Sequence, residues 1–481
     1  MAHLPRRRES IPMKTTTAPQ SGTPTPQAGA GAPAGADARG RAAKTSKSAT
    51  KWTNWCRLYR SEPADVVTPR DETELAALLA RATEENRTVR PVGGSHSFTP
   101  LAHTDDILLD MRHFRGLYAV DPVGGTVTLG AGTHLWELPG LLEPYGLALA
   151  NMGDIDRQTI GGALSTSTHG TGLAYTGYAG MIRALRIALP TGDIVTASPT
   201  QHPELFEAAR VGLGALGVIV HAAIAVVPSF ILHAEERPVP LADTLENFID
   251  LSREQDHVEF YWFQHTDVVA RKINRRSPGF EGDKPLSGFK HWFEDELLNN
   301  GGHRAICELG KLIPKTVPTL NKLAARTMGN RSFADTSHKV FVSPRRTRFR
   351  EMEYAIHIND YQEVFSEVVR TVNAFPEGIT FPLEVRAAKG DDVWLSTAHG
   401  RDSVYIAVHR FYREEHKKYF AVLEDIFKAA GGRPHWGKLH TLGPEDLHER
   451  YPKFGDWLKV REQVDPNGIL LNDYLAKMLG V

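Results

Sequence analysis

The sequence predicts an α+β protein of two or three domains, on three observations. Its 481 residues exceed the roughly 100–200 of a single domain. Strand-like and helix-like patterns alternate irregularly in the second half, which suggests an antiparallel sheet backed by helices. In the first half, glycine-rich polar stretches lie between strongly periodic strands, where they suggest a backbone surface for a flat or extended cofactor. Hydrophobic content of 41% and charged content of 23% fit a soluble globular chain. A net charge of −1 argues against charge-driven nucleic-acid binding. Two cysteines, Cys56 and Cys307, exclude a disulfide scaffold and a cysteine-rich metal site, and fit a reducing, cytoplasmic setting.

Residues 1–50 carry a balance of +6 and contain no Phe, Tyr or Trp. Such a segment cannot bury enough apolar surface to offset its ordering entropy, so it reads as a disordered tail. Arg6, Arg7 and Arg8 are not followed by an apolar stretch, so export is not expected, and Met13 is an alternative start. No run of about 18 apolar residues occurs, so no spanning helix is expected.

Order begins near Trp52 and Trp55. Asp71 and Glu74 have capping-box spacing for a helix reaching Glu85. The strand Thr88–Val92 runs into Gly93-Gly94-Ser95-His96-Ser97. Adjacent glycines let backbone approach a ligand and present N–H groups to an anion such as pyrophosphate, although a plain turn has the same composition. Strands at Ile107–Asp110, Thr126–Leu129 and Leu147–Ala150, with a helix at Leu135–Leu142, lead to Asn151-Met152-Gly153-Asp154-Ile155. Then come Thr159–Ala163 and the small-residue run from Ser165 to Gly172. A hairpin turns at Thr191-Gly192. Gly212–Gly217 is a literal G-x-G-x-x-G, but a helix, His202–Arg210, precedes it and a strand, Val218–Val227, follows. A dinucleotide fingerprint needs strand, glycines, then helix, so the NAD reading is rejected.

Beyond His233 the reading gives helix Leu241–Ser252, strands Val258–Phe263 and Val268–Ile273, and a largely helical insertion over 286–330. Trp292, Phe293, Leu297 and Leu298 could form an apolar face there, for core packing or a peripheral membrane contact. Strand Glu351–Ile358, helix Tyr361–Phe375, strands Ile379–Ala387 and Ser403–His409, and helix Glu414–Ala430 follow. In the strand holding Glu384 and Arg386, these two share the face opposite Phe381, Leu383 and Val385, about 7 Å apart. They read equally as a site or as a salt-bridge ladder. Lys438 sits in the loop Pro434-His435-Trp436-Gly437-Lys438. His435 and His440 lack metal-ligand spacing, so no metal is expected.

The loop VGGSHS at 92–97, IGGALSTSTHGTG at 160–172 and GALGVI at 214–219 resemble the FAD-binding domain of the vanillyl-alcohol-oxidase/PCMH flavoprotein superfamily. The E-x-R strand, the H-W-G-K loop and the tail Asp465-Pro466-Asn467-Gly468 with Leu471–Leu475 resemble the aldonolactone oxidoreductases and the related alditol oxidases. The resemblance implies a two-subdomain PCMH-type FAD-binding domain over 51–230, a substrate (cap) domain with antiparallel sheet and helices over 231–430, and a segment over 431–481 closing on the flavin.

It implies that FAD lies on Val92, Gly93, Gly94, Ser95, His96 and Ser97 of the first loop. Gly153, Asp154, Gly161, Gly162 and Ser165 would join these, with Thr168, His169 and Gly170, then Gly217 and Ile219. His96 stands where covalent members bond the flavin 8α-methyl, and the cysteine of bicovalent members is missing, so a single histidyl link is implied. Glu384, Arg386 and Lys438 would hold a sugar lactone or polyol, with His409 beside them. Loss of hydride to flavin N5 needs a positioned C–H and an acceptor for the hydroxyl proton. Arg386 would supply fixed donors and Glu384 an acceptor; Lys438 would orient a hydroxyl, or relay a proton if burial lowers its pKa. The residue types leave the base open. Gly153, without a side chain, would leave a path for oxygen, the expected acceptor. The alternatives are an alditol oxidase or a dehydrogenase passing electrons to a membrane or protein carrier.

Overall fold

The computed structural model describes residues 51–277, 279–280, 284–285, 301–327, 330–343 and 345–481. The proposed tail and the apolar face of Trp292, Phe293, Leu297 and Leu298 lie outside these residues. Among the described residues, no helix is long and apolar enough to cross a membrane.

Helix Glu72–Glu84 starts at Asp71, whose carboxylate accepts the Glu74 N–H. Its Leu75, Leu78, Leu79 and Ala82 pack on Val89, Ile107 and Leu109 of a parallel three-stranded sheet, Asp65–Val67, Ile107–Asp110 and Val89–Val92. An antiparallel five-stranded sheet follows, ordered Ile194–Ala197, Ile182–Ala188, Val218–Ala225, Thr126–Gly130 and Leu117–Asp121. Helix Pro203–Ala209 precedes the G-x-G-x-x-G run and strand Val218–Ala225 follows it. Gly217 has φ +131°, and a Cβ there would meet Ile187 Cγ2 at 2.4 Å, so this glycine serves close packing as well as backbone geometry.

The second half is built on an eight-stranded antiparallel sheet among the described residues. Its order is Arg331–Thr336, Ile231–Pro240, Val268–Ser277, His257–Trp262, Leu383–Ala388, Ser403–Phe411, Phe349–His357, Arg433–Pro434. One face carries Phe260, Trp262, Leu383, Val385, Ile406 and Tyr354. Helices Leu241–Glu254, Tyr361–Ala374 and Lys417–Ala429 cover it, with Phe260 on Phe248 and Phe365 and Tyr354 on Phe427. Strand side chains alternate, so the opposite face carries the intervening residues. These are Glu259 and Tyr261, Glu384 and Arg386, Tyr405 and His409, and Glu351 and Glu353.

Several elements differ from the sequence reading. Ile160–Ser165 is a short helix, because Thr159 Oγ1 caps the Gly162 N–H. The strand expected from Ile379 starts at Leu383; Pro382 has no N–H, and the Ile379 N–H is taken by Gln264 Oε1 at 2.7 Å. The strand expected over Leu147–Ala150 is only Leu147–Ala148. Ile231–Pro240, which the reading left out, pairs along its whole length with Val268–Ser277. The C-terminal segment forms helices Pro444–Arg450, Phe454–Val464 and Asp473–Leu479. Its tail motif returns to the first sheet: the Asp465 carboxylate accepts the Ile469 and Leu470 N–H groups, and Ile469 O accepts from Val89.

Candidate active site

An open cleft runs through the first half. Its walls include Val92, Gly93, Gly94, Ser95, His96 and Ser97, then Gly161, Gly162 and Ser165, and Gly217 with Ile219. A Cβ on Gly93 would meet Thr159 Oγ1 at 2.3 Å, and one on Gly94 would meet Arg157 O at 2.2 Å. The loop therefore lies directly on the backbone before helix Ile160–Ser165, and only glycine permits that approach. Arg90, fully buried, ties the cleft's floor together by donating to Leu101 O, Leu213 O and Gly214 O. A cradle of backbone and small side chains, long and open, fits an extended dinucleotide such as FAD.

His96 stacks on Trp55 with ring centroids 5.5 Å apart. Burial, aided by Lys438, Arg157 and His134, lowers its pKa to about 4, so it is neutral near pH 7. The segment before the first sheet clasps its loop: Trp52 Nε1 donates to Ser95 Oγ, Trp55 N–H to Ser95 O and Asn54 Nδ2 to Ser97 O. Phe98 N–H donates to Gly437 O, and Thr99 Oγ1 to Trp436 O. The loop bearing His96 is thus bonded to the loop bearing Lys438.

The polar face of the large sheet is the second part of the site. Arg386 Nε donates to Glu259 Oε2 at 2.9 Å; its Nη2 contacts Glu384 Oε1 and lies 3.4 Å from Asp154 Oδ1. Tyr261 OH is 3.2 Å from Glu384 Oε1 and 3.3 Å from Glu259 Oε1. Lys272 stands 3.8 Å from Glu259. One guanidinium serves three carboxylates, so they are not compensated equally. Burial raises Glu384 to about 7, with the charges of Asp154 and Glu259 adding to it, against the pull of Arg386 and Arg345. At Glu259 and Asp154 burial acts the same way, but their cations outweigh it and both fall below the usual carboxylate range.

Lys438 corrects one expectation. Burial alone would lower its pKa, but Glu351, in direct contact, and Glu353 outweigh it and raise it. It is a fixed ammonium, not a relay. Its Nζ lies 5.0 Å from the Phe98 ring centroid. His409 donates from Nδ1 to Pro382 O at 2.9 Å and places Nε2 3.5 Å from Glu351.

Gly153, Asp154, Thr168, His169 and Gly170, expected on the cofactor, do not line the cleft. Gly153 has no left-handed backbone, and a Cβ there would meet His169 O at 3.0 Å. His169 turns to the sheet: it stacks on Tyr405 at 3.6 Å and sets Nε2 3.3 Å from Glu353. His169, Glu353 and His435 lie close enough together to hold a metal. However, His435 Nδ1 accepts the Gly437 N–H at 3.0 Å, so in the neutral ring the proton sits on Nε2 and neither nitrogen is free to ligate.

Sequence reasoning missed Glu259, Tyr261, Glu351, Glu353 and Arg345. Four of them carry the signal that exposed Glu384 and Arg386: polar residues two apart in an otherwise apolar strand, as in His257–Trp262 and Phe349–His357.

Residues 222–478 match the family described as D-arabinono-1,4-lactone oxidase, and residues 63–198 match an FAD binding domain. The L-gulono-1,4-lactone dehydrogenase of Mycobacterium tuberculosis is 38% identical over 429 residues, 89% of this chain and 99% of that protein. The L-gulonolactone oxidase of Bos taurus is 32% identical, with 89% and 98% covered. Cholesterol oxidase from B. sterolicum shares the fold at 18% identity and a TM-score of 0.76, over 89% of this chain and 96% of that one. With its glycine-walled cleft set beside a buried Glu–Arg sheet face, the chain belongs to the D-arabinono-1,4-lactone oxidase family and is an FAD-linked oxidoreductase.

Proposed function

We propose that the protein oxidises a CH–OH group of a sugar-derived aldono-1,4-lactone, with oxygen as electron acceptor. The observation that carries the CH–OH oxidation is the Glu384–Arg386 pair, buried on the polar face of a sheet whose other face is core; the acceptor is for the assay below to decide. Bound FAD supplies the hydride-accepting ring. Val92–Ser97, Gly161, Gly162, Ser165, Gly217 and Ile219, which wall the cleft, would hold it. His96, neutral and at the cleft wall, would be its covalent anchor.

Arg386 Nη1 makes no hydrogen bond among the described residues and is the donor offered to a substrate oxygen. The Lys438 ammonium binds a second hydroxyl or the lactone carbonyl. Glu384 accepts the hydroxyl proton as hydride leaves. A carboxyl near 7 is both ionised enough to accept at neutral pH and basic enough to be useful. Lys438, held protonated by Glu351, is the wrong form for a base. The sign follows: Glu384 must be ionised to act, so the reductive rate rises with pH through about 7.

Aerobic assay against a panel of aldono-1,4-lactones and alditols, reading hydrogen peroxide, tests this. Lactone-dependent peroxide is expected. Alditol preference would move the substrate class. Flavin bleaching that persists in air yet is reversed by a cytochrome or quinone-like dye would replace the oxidase by a dehydrogenase.

One surface feature favours that second reading. At the turn between helices His303–Leu312 and Val317–Thr327, Leu312 is 78% and Ile313 51% exposed. They lie between exposed Lys311 and Lys315. Apolar side chains flanked by cations suit an anionic lipid surface, where a membrane-borne carrier would be at hand. Co-sedimentation with phosphatidylserine vesicles but not with phosphatidylcholine, lost on replacing Leu312 and Ile313 by Asp, is the expected result on that reading.

A further inference from the structure

We propose that Asp154 is a positioning residue, a carboxylate from the FAD-binding domain that divides the Arg386 guanidinium between itself and Glu384 and so sets the proton affinity of Glu384. The proposal rests on Glu384 as the base proposed above.

Asp154 reaches the sheet from the stretch beside Gly153, whose N–H donates to Tyr178 OH at 3.2 Å. Its own carbonyl accepts the Ser343 N–H at 3.0 Å, so its backbone is held on both sides of the domain junction. Its two carboxylate oxygens have separate partners. Oδ2 takes Arg345, at 3.0 Å from Nε and 2.9 Å from Nη2. Oδ1 is left facing Arg386 Nη2 at 3.4 Å. That same Nη2 contacts Glu384, while Nε is committed to Glu259. One N–H₂ group is therefore drawn between two carboxylates on opposite domains.

The charges facing Glu384 are few. Its own strand gives Arg386. The neighbouring strand gives Tyr261 and Glu259, the latter also beside Lys272. The other neighbour places uncharged Ala407 opposite, and His409 beyond it is engaged by Glu351, as is Lys438. The segment after Phe341 gives Arg345, and the FAD-binding domain gives Asp154. Among the described residues, Asp154 and Arg345 are the charges that enter from outside the sheet to act on Glu384, with opposite signs. Without the Asp154 charge, Arg386 Nη2 is free to pair fully with Glu384, and a carboxylate with a better-placed cation is a weaker base. Without Arg345, Asp154 leans on Arg386, with Lys438 as a further cation near it, and Glu384 also loses a nearby cation, so it becomes a stronger base.

The two variants thus have opposite expected signs. In Asp154→Asn the midpoint of the acid limb of anaerobic flavin reduction falls by about one pH unit, so well below the midpoint the rate rises up to about tenfold relative to its own plateau. In Arg345→Gln, at a side chain 35% exposed, the midpoint rises. Asp154→Glu, which restores the charge, returns it toward the wild-type value. An activity-independent readout is the infrared band of the protonated Glu384 carboxyl, identified by its loss in Glu384→Gln and titrated in the flavin-loaded enzyme without substrate. Its midpoint should move with the kinetic one. If no lactone reduces the flavin, the proposed activity fails, yet this titration still reports on Asp154. A midpoint unmoved in both variants, or raised in Asp154→Asn, would overturn the proposal and leave Asp154 as a domain tie, visible only as lower stability. Should Asp154→Asn not fold, an unmoved or lowered midpoint in Arg345→Gln is the contradicting result.

Discussion

Glu384→Gln should lower the rate of anaerobic flavin reduction by about 10²–10⁴-fold, the usual contribution of a positioned base, and abolish the acid limb near pH 7. The amide keeps the shape of the side chain and can still accept from Tyr261 and Arg386 through its oxygen. It cannot take a proton. Alanine at Arg386 is a poorer test, because Glu259, Glu384 and Asp154 all depend on that guanidinium. Stripping a buried cation from its carboxylates costs about 3–5 kcal/mol, so a loss of activity would mix chemistry with unfolding. For Glu384→Gln the checks are stopped-flow reduction across pH 5–9 and an unchanged urea midpoint. A folded variant that reduces its flavin at a near-normal rate would remove Glu384 from the chemistry and leave the pair as a salt-bridge ladder.

His96→Ala should convert flavin that stays with acid-precipitated protein into flavin that is fully released to the supernatant. The imidazole sits in the cleft wall, neutral because burial and the neighbouring cations disfavour its charged form. A neutral ring nitrogen has the lone pair that a carbon–nitrogen bond requires. Trp55 stacked against it and the Asn54 and Trp52 bonds to its loop hold the ring in one place. The glycines that build the cradle are untouched by the substitution, so the variant should still bind FAD reversibly. Wild-type flavin extracted completely by acid would show that no link exists.

The parts of the site that lie within one strand or one loop were legible in the sequence. Alternation alone put Glu384 and Arg386 on one face, and two adjacent glycines marked the loop at His96. What depended on distant partners was not. Lys438 read as a candidate relay because burial lowers an amine's pKa, but Glu351, brought beside it by the sheet, reverses the sign. The resemblance implies Asp154 and His169 as cofactor contacts, and nothing in their own stretches of sequence points to the partners they meet on the sheet. They face the sheet because Arg345, Arg386, Glu353 and Tyr405 converge on them there. The strand Ile231–Pro240 escaped notice because its Glu235, Glu236 and Arg237 and its two prolines lack strand-like alternation. Its pairing with Val268–Ser277 supplies what its own pattern does not. The helix Ile160–Ser165 was hidden by Gly161 and Gly162, poor helix formers that the Thr159 cap and packing on Ala131 retain.

The most direct test is anaerobic mixing of the flavin-loaded enzyme with L-gulono-1,4-lactone or D-arabinono-1,4-lactone, following the flavin absorbance at pH 6 and pH 8. The expected result is bleaching by at least one of these lactones, faster at pH 8 than at pH 6, as ionisation of Glu384 requires. Flavin that stays oxidised with every lactone at both pH values would contradict the assignment of this sheet face as a lactone-oxidising site.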